Sequence, residues 1–179
     1  MRLFIGIAPP KDIKNYLFKI QNNLKDNTLV KMRLEGKTQL HLTLKFLGEI
    51  PEEDIGLIKK ELREIKYFPF KINLSNIGTF ASGGTLTVLW IGLKPKGEII
   101  ELQKQIDQAT LKYGSIKLEN PHITIGRIKS VKNKKKFLDK INNFKTEDLN
   151  FIVDEFCLYK SKLTKDGARY EILERYLLK

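Results

Sequence analysis

The sequence predicts a mixed helix-and-strand fold built as two similar lobes that face each other across a cleft. Three observations carry this reading. Segments of strand and helix periodicity follow the order strand, helix, strand, helix, strand, and the order then repeats with one strand added. The only two histidines, His41 and His122, open matched motifs in the middle strand of each half. The length, 179 residues, suits a single bilobal domain spanning 1–179 with a shared core.

The elements follow from local pattern. Residues 2–8 alternate weakly and stop at Pro9-Pro10, which predicts a buried strand rather than a signal peptide. Ile13, Tyr16, Leu17, Ile20 and Leu24 fall at helical spacing, so 10–24 is a helix. Residues 25–39 are polar and read as irregular, and 40–47 is a strand ending at Gly48. Pro51 opens a second helix. Glu52, Glu53 and Asp54 favour its N-terminal dipole, and Ile55, Ile58, Leu62 and Ile65 form its apolar face. A hairpin of 69–80 and Thr85 to Leu93 turns at Ser82-Gly83-Gly84. The second half gives a helix at 96–113, a strand at 121–128 and a helix at 132–144. Long strands at 149–162 and 168–177 then join around Asp166-Gly167. Outside one motif the halves share almost no sequence.

Composition narrows the function classes. Lys and Arg number 33 against 21 Asp and Glu, a net charge of +12 that favours a polyanionic partner such as nucleic acid. No run of 18 apolar residues is present, so a membrane span is not expected. Cys157 is the single cysteine, which leaves no disulfide framework and points to a reducing cytoplasm; it reads as a small buried strand residue. Lys134-Lys135-Lys136 reads as a solvated helix face.

The chemistry lies in His41-Leu42-Thr43-Leu44 and His122-Ile123-Thr124-Ile125. Two such matches arise by chance on the order of once in 10⁴. Along a strand, residues two apart share a face, so His41 and Thr43 point one way and His122 and Thr124 point one way, each backed by an apolar row. If an approximate two-fold axis relates the lobes, these polar faces meet. Two imidazoles then act as an acid–base pair near neutrality, while the hydroxyls hold phosphoryl oxygens. Two histidines without Asp, Glu or Cys at ligand spacing fall short of a usual metal set, so neither metal nor cofactor is expected. Arg127 sits opposite His122 in a regular strand; a bulge at Gly126 would re-aim it toward phosphate. Arg33 is a weaker candidate of the same kind. Parity assigns Phe46 to the core. Phe80, Trp90 and Tyr159 read as packing, with base stacking as the alternative.

At these residues the chain resembles the 2H phosphoesterases, in particular the RNA 2′,3′-cyclic phosphodiesterase or 2′-5′ RNA ligase branch. The likeness runs from Arg2-Leu3-Phe4-Ile5-Gly6-Ile7 through both motifs, Ile77-Gly78-Thr79-Phe80 and Val88-Leu89-Trp90-Ile91-Gly92-Leu93 to Leu158-Tyr159-Lys160 and Gly167-Ala168-Arg169-Tyr170. It implies an α+β fold with two antiparallel sheets around a central groove and helices outside. It also implies hydrolysis of an RNA 2′,3′-cyclic phosphate end to a 2′-phosphate, by a monomer acting on RNA ends such as tRNA fragments. By the same resemblance His41 is the proton donor, His122 the base, Thr43 and Thr124 hold the phosphate, and Arg127 joins them. The run Leu34 to Gln39 departs from the family pattern on the base-binding side. Two other readings compete: ATP-independent joining of cyclic-phosphate and 5′-hydroxyl ends, which is the same chemistry with a different nucleophile, and a non-catalytic RNA-binding module. The second of these lacks an RNP-like consensus.

Overall fold

The computed structural model describes residues 1–114, 120–164 and 167–179. Its strands are β1 (Arg2–Ile7), β2 (Val30–Leu34), β3 (Leu42–Glu49), β4 (Phe70–Ser82), β5 (Thr85–Lys94), β6 (His122–Val131), β7 (Asn150–Val153), β8 (Glu155–Thr164) and β9 (Gly167–Leu177). The helices are α1 (Lys11–Leu24), α2 (Ile55–Arg63), α3 (Gly97–Ala109) and α4 (Lys134–Asn142). In α1 all five residues of the helical apolar pattern are buried. The β4–β5 turn uses Gly83 and Gly84 at φ +55° and +77°, the left-handed geometry that a two-residue hairpin turn requires. Asp166 of the expected β8–β9 turn lies outside the described residues.

Two segments differ from the sequence reading. Within the stretch read as irregular, Val30–Leu34 forms β2 and pairs with β6. Val30-Lys31-Met32-Arg33-Leu34 alternates apolar and polar over only five residues, and pairing with β6 is what makes them a strand. The long strand read at 149–162 is two strands broken at Asp154, because β7 pairs with β4 whereas β8 pairs with β1 and β9.

Among the described residues nine strands form one antiparallel sheet in the order β7-β4-β5-β6-β3-β1-β8-β9, with β2 also on β6. One residue, Asp154, links β7 at one end of this order to β8 near the other. Two peptide steps span at most about 7 Å, so the sheet must curl until its ends approach. The result is a half-barrel with helices outside. Helices α1 and α4 pack on β6 and β4, while α3 and α2 pack on β3 and β9. Each wing of the sheet therefore draws strands from both halves of the sequence. Leu17, Ile20, Ile99, Leu102, Ile106 and Phe137 meet the strand residues Ile5, Leu42, Leu44, Ile91, Ile123 and Ile125 in one core. A second cluster, Phe4, Cys157 and Tyr159 with Tyr170 against it, is separate from that core.

The two wings join where β3 meets β6, and their ladder consists of one pair, Leu42 with Ile123. Both side chains are buried, Leu42 at 1% and Ile123 at 0% exposure. Ile123→Ala leaves a cavity at this seam and should cost about 2–4 kcal/mol. For a chain of this size that is a fall of roughly 4–16 °C in Tm, measurable by calorimetry. A loss no larger than that of a surface substitution would refute a structural role for the seam.

Candidate active site

The seam pairs the middle residues of the two motifs, so an antiparallel register continued from it sets His41 opposite Thr124 and Thr43 opposite His122. A local two-fold axis thus passes midway between Leu42 and Ile123. His41, Thr43, His122 and Thr124 line one cavity of about 660 Å³, together with Arg33, Glu35, Gln39, Phe46, Phe80 and Arg127. That volume accommodates a nucleotide.

Both imidazoles are oriented by the same device. His41 Nδ1 lies 2.6 Å from the carbonyl oxygen of Gln39, and His122 Nδ1 lies 2.9 Å from that of Asn120. A carbonyl only accepts, so each Nδ1 carries a proton and donates to the carbonyl two residues upstream. The neutral rings therefore keep their lone pairs on Nε2. At His41 that lone pair accepts a hydrogen bond from the Thr43 hydroxyl at 2.9 Å.

Both motif strands also bulge at the same place. Against β1, Gly6 pairs with Thr43 and Ile5 with Lys45, so Leu44 is the extra residue. Against β5, Trp90 pairs with Thr124 and Leu89 with Gly126, so Ile125 is the extra residue. A bulge reverses the alternation beyond it. After Leu44, Lys45 turns inward and Phe46 turns into the cleft. After Ile125, Gly126 is buried and Arg127 turns into the cleft. The assignment of Phe46 to the core is therefore corrected: its side chain is 64% exposed and lines the cavity. Strand parity fails there because the bulge intervenes. Arg127 faces the cavity for the same reason.

Arg127 Nε donates to Glu35 Oε1 at 2.8 Å, and Glu35 is itself buried. On the neighbouring strand Arg33 is the register partner of Arg127 and packs its guanidinium against Gly167. The segment before the first motif thus supplies Glu35 to Arg127 and Gln39 to His41. Lys45, 1% exposed, donates to Asp107 Oδ1 (2.7 Å) and to the carbonyls of Thr110 (3.1 Å) and Gly114 (2.6 Å), which compensate its desolvation.

The surroundings of the two rings differ. His41 packs against Phe4 (centroids 4.8 Å) and the edge of Tyr170 (5.0 Å), and His122 meets Phe80 edge-on (4.8 Å) and lies near Trp90 (6.0 Å). Tyr159 stacks on Phe4 and is buried beneath it. Burial pushes His41 from its ordinary value near 6.5 down to about 4; the Gln39 carbonyl opposes this, and Coulombic repulsion from Arg127, from His122 whenever that ring carries a proton, and from Lys14 adds to it. The ring is therefore neutral at pH 7. Glu35, Phe46 and Tyr170 escape a reading of strand alternation. The signal for Phe46 and Arg127 together was their equal spacing after the two motifs.

Among the described residues, no group of three His, Cys, Asp or Glu side chains is placed to hold a metal, and no helix is long and apolar enough to cross a membrane.

A sequence model of the LigT like Phosphoesterase family matches residues 7–90 and again 91–170, one motif in each match. A Methanocaldococcus jannaschii protein named RNA 2′,3′-cyclic phosphodiesterase is 38% identical over 98% of this chain and 100% of its own length. A protein of the same name from Archaeoglobus fulgidus is 32% identical over 97% and 98% of the two chains. The crystal structure of TT0787 from Thermus thermophilus superposes with a TM-score of 0.81 at 25% identity, covering 99% of this chain and 98% of that one. The tandem matches, the full-length relatives and the shared half-barrel agree with the paired motifs, and the chain belongs to the LigT-like 2H phosphoesterases.

Proposed function

We propose that this protein hydrolyses the 2′,3′-cyclic phosphate at the end of an RNA to a 2′-phosphate, without a metal, using His41 and His122 as an acid–base pair. The observation that carries this reading is the pair of His-x-Thr motifs related by a local axis, with both rings lining one cavity beside Arg127. The names of the full-length relatives give the reaction class.

A phosphorus atom over the axis has one imidazole on each side, as in-line displacement demands. His122 Nε2 takes a proton from water as it attacks phosphorus. The P–O3′ bond breaks, and His41 delivers a proton to the leaving 3′ oxygen. Thr43, Thr124 and Arg127 stabilise the charge that builds on the non-bridging oxygens, with Arg33 a second cation beside them. Phe46, exposed at the symmetry-related place to Arg127, offers a ring on which the terminal base stacks. The chemistry takes place in a monomer, and the single thiol, buried and unpaired, suits the reducing cytoplasm.

His41 must carry a proton to act as the acid, and in the empty cleft it does so only as pH falls through about 4. A bound cyclic phosphate places an anion beside Nε2 and raises that value. The substrate thus charges its own acid. A value lowered in the folded state also means that the unfolded chain binds this proton first. Stability contributed by His41 is therefore complete above about 6.5 and is lost as pH falls to about 4.

His41→Ala and His122→Ala should each lower kcat/KM on cyclic-ended RNA at least about a hundredfold; full turnover in either variant would defeat the proposal. Activity should persist in excess chelator, and its abolition there would indicate a metal-dependent reaction. In NMR titrations the His41 ring should protonate near pH 4 in the empty protein and at higher pH with a 2′-phosphate product bound. An unmoved titration would remove His41 from the acid role.

A further inference from the structure

Two buried glutamines occupy matched places behind the cleft. Gln21 lies on α1 and is fully buried, and its Nε2 donates to the carbonyls of Ile125 and Glu35, both at 2.7 Å. Gln103 lies on α3, and its Nε2 donates to the carbonyl of Leu44 at 3.2 Å. Leu44 and Ile125 are the residues that bulge after the two motifs. Each glutamine comes from the opposite half of the sequence to the strand it touches.

The bonding is one-sided in both cases. Gln21 Oε1 and Gln103 Oε1 are buried, and neither has a hydrogen-bond partner among the described residues. A buried amide with its oxygen unmet costs free energy that a methionine of similar volume would not. A feature needed only for packing would not repeat that cost at two sites. What the two amides share is donation to a bulged carbonyl.

We propose that Gln21 and Gln103 are positioning residues that lock the two bulges and thereby aim Arg127 and Phe46 into the cleft. A bulge leaves its extra residue out of the ladder, so its persistence depends on partners outside the ladder. If the β6 bulge relaxed to regular alternation, Arg127 would turn away from the cavity. Gln21 holds that bulge twice over, since it also binds the carbonyl of Glu35, whose carboxylate accepts Arg127 Nε, and Glu35 N–H donates to the same Ile125 oxygen at 3.1 Å. Gln103 does the corresponding work for Phe46. This proposal rests on the phosphoesterase reading of the cleft for its kinetic consequence, though not for its geometry.

The test is a double-mutant cycle with two readouts. Gln21→Met should lower kcat/KM on cyclic-ended RNA about tenfold or more in the native background and less than about twofold in an Arg127→Met background, because the effect passes through Arg127. Gln103→Met and Phe46→Ala should show the same non-additivity. Independently of turnover, hydrogen exchange at Arg127 Nε–H, slowed in the native protein by Glu35, should quicken at least about tenfold in Gln21→Met while Tm moves little. Equal losses in both backgrounds, or unchanged Arg127 exchange, would overturn the proposal. If Gln21→Met does not fold, Gln21→Asn, whose donor falls one methylene short, is read in the same cycle. Altered exchange in a protein whose native form turns over no cyclic phosphate would keep the positioning role and reject the proposed reaction instead.

Discussion

One backbone pairing governs the geometry of the cleft. Leu42 and Ile123 are the only ladder partners shared by β3 and β6 among the described residues, and they are the residues between His and Thr in each motif. An antiparallel pair has a local two-fold axis through its centre. Centring that axis on the motifs makes the two catalytic candidates equivalent about one point. The strands then diverge, because β3 continues beside β1 while β2 takes over the edge of β6. A longer ladder would have kept the motifs side by side on one flat face, with no cavity between them.

On this symmetric frame the side chains are not symmetric. Where β3 has Lys45 after its bulge, β6 has Gly126. Where β3 presents Phe46, β6 presents Arg127. A phosphodiester at the end of a chain is itself lopsided, with a nucleoside on one side and solvent on the other. In the proposed reaction the Phe46 ring meets the base on one flank and the Arg127 guanidinium meets the phosphate on the other, which matches that asymmetry. Lys45 shows what the frame requires elsewhere: the bulge that turns Phe46 outward turns an ammonium inward, and three acceptors around the end of α3 are needed to satisfy it.

Much of this was legible in the amino-acid sequence because it depends on periodicity. The helices, the hairpin and the faces of His41, Thr43, His122 and Thr124 follow from spacing alone. Three features were not legible, for three physical reasons. β2 alternates over only five residues beside polar runs, and it is the edge of β6 that makes it a strand. The break at Asp154 reflects a change of partner from β4 to β1, which no local preference encodes. The outward turn of Phe46 comes from a bulge, and a bulge is an exception to alternation that alternation cannot announce. The symmetry of the motifs did contain a hint, since a Phe and an Arg stand at the same distance from their histidines, and a bulge at the same place in both strands turns both toward the cleft.

The electrostatics join binding to chemistry. The 33 basic against 21 acidic residues favour a polyanionic partner, and within the cleft positive charge also helps, after burial, to hold His41 neutral. In the proposed mechanism these are one effect seen in two states. Before binding, burial first and the cations second disfavour a proton on His41, so the acid is off. When a phosphate anion enters, it offsets the same field, and the ring gains a proton where the leaving oxygen will need it. In the proposed mechanism a cleft with fewer cations would oppose a proton on His41 less, but it would bind the phosphate less well and stabilise the transition state less. In that mechanism a buried acid beside cations gains its proton only with the anion, so the arrangement ties the acid's charge to the presence of the group it acts on.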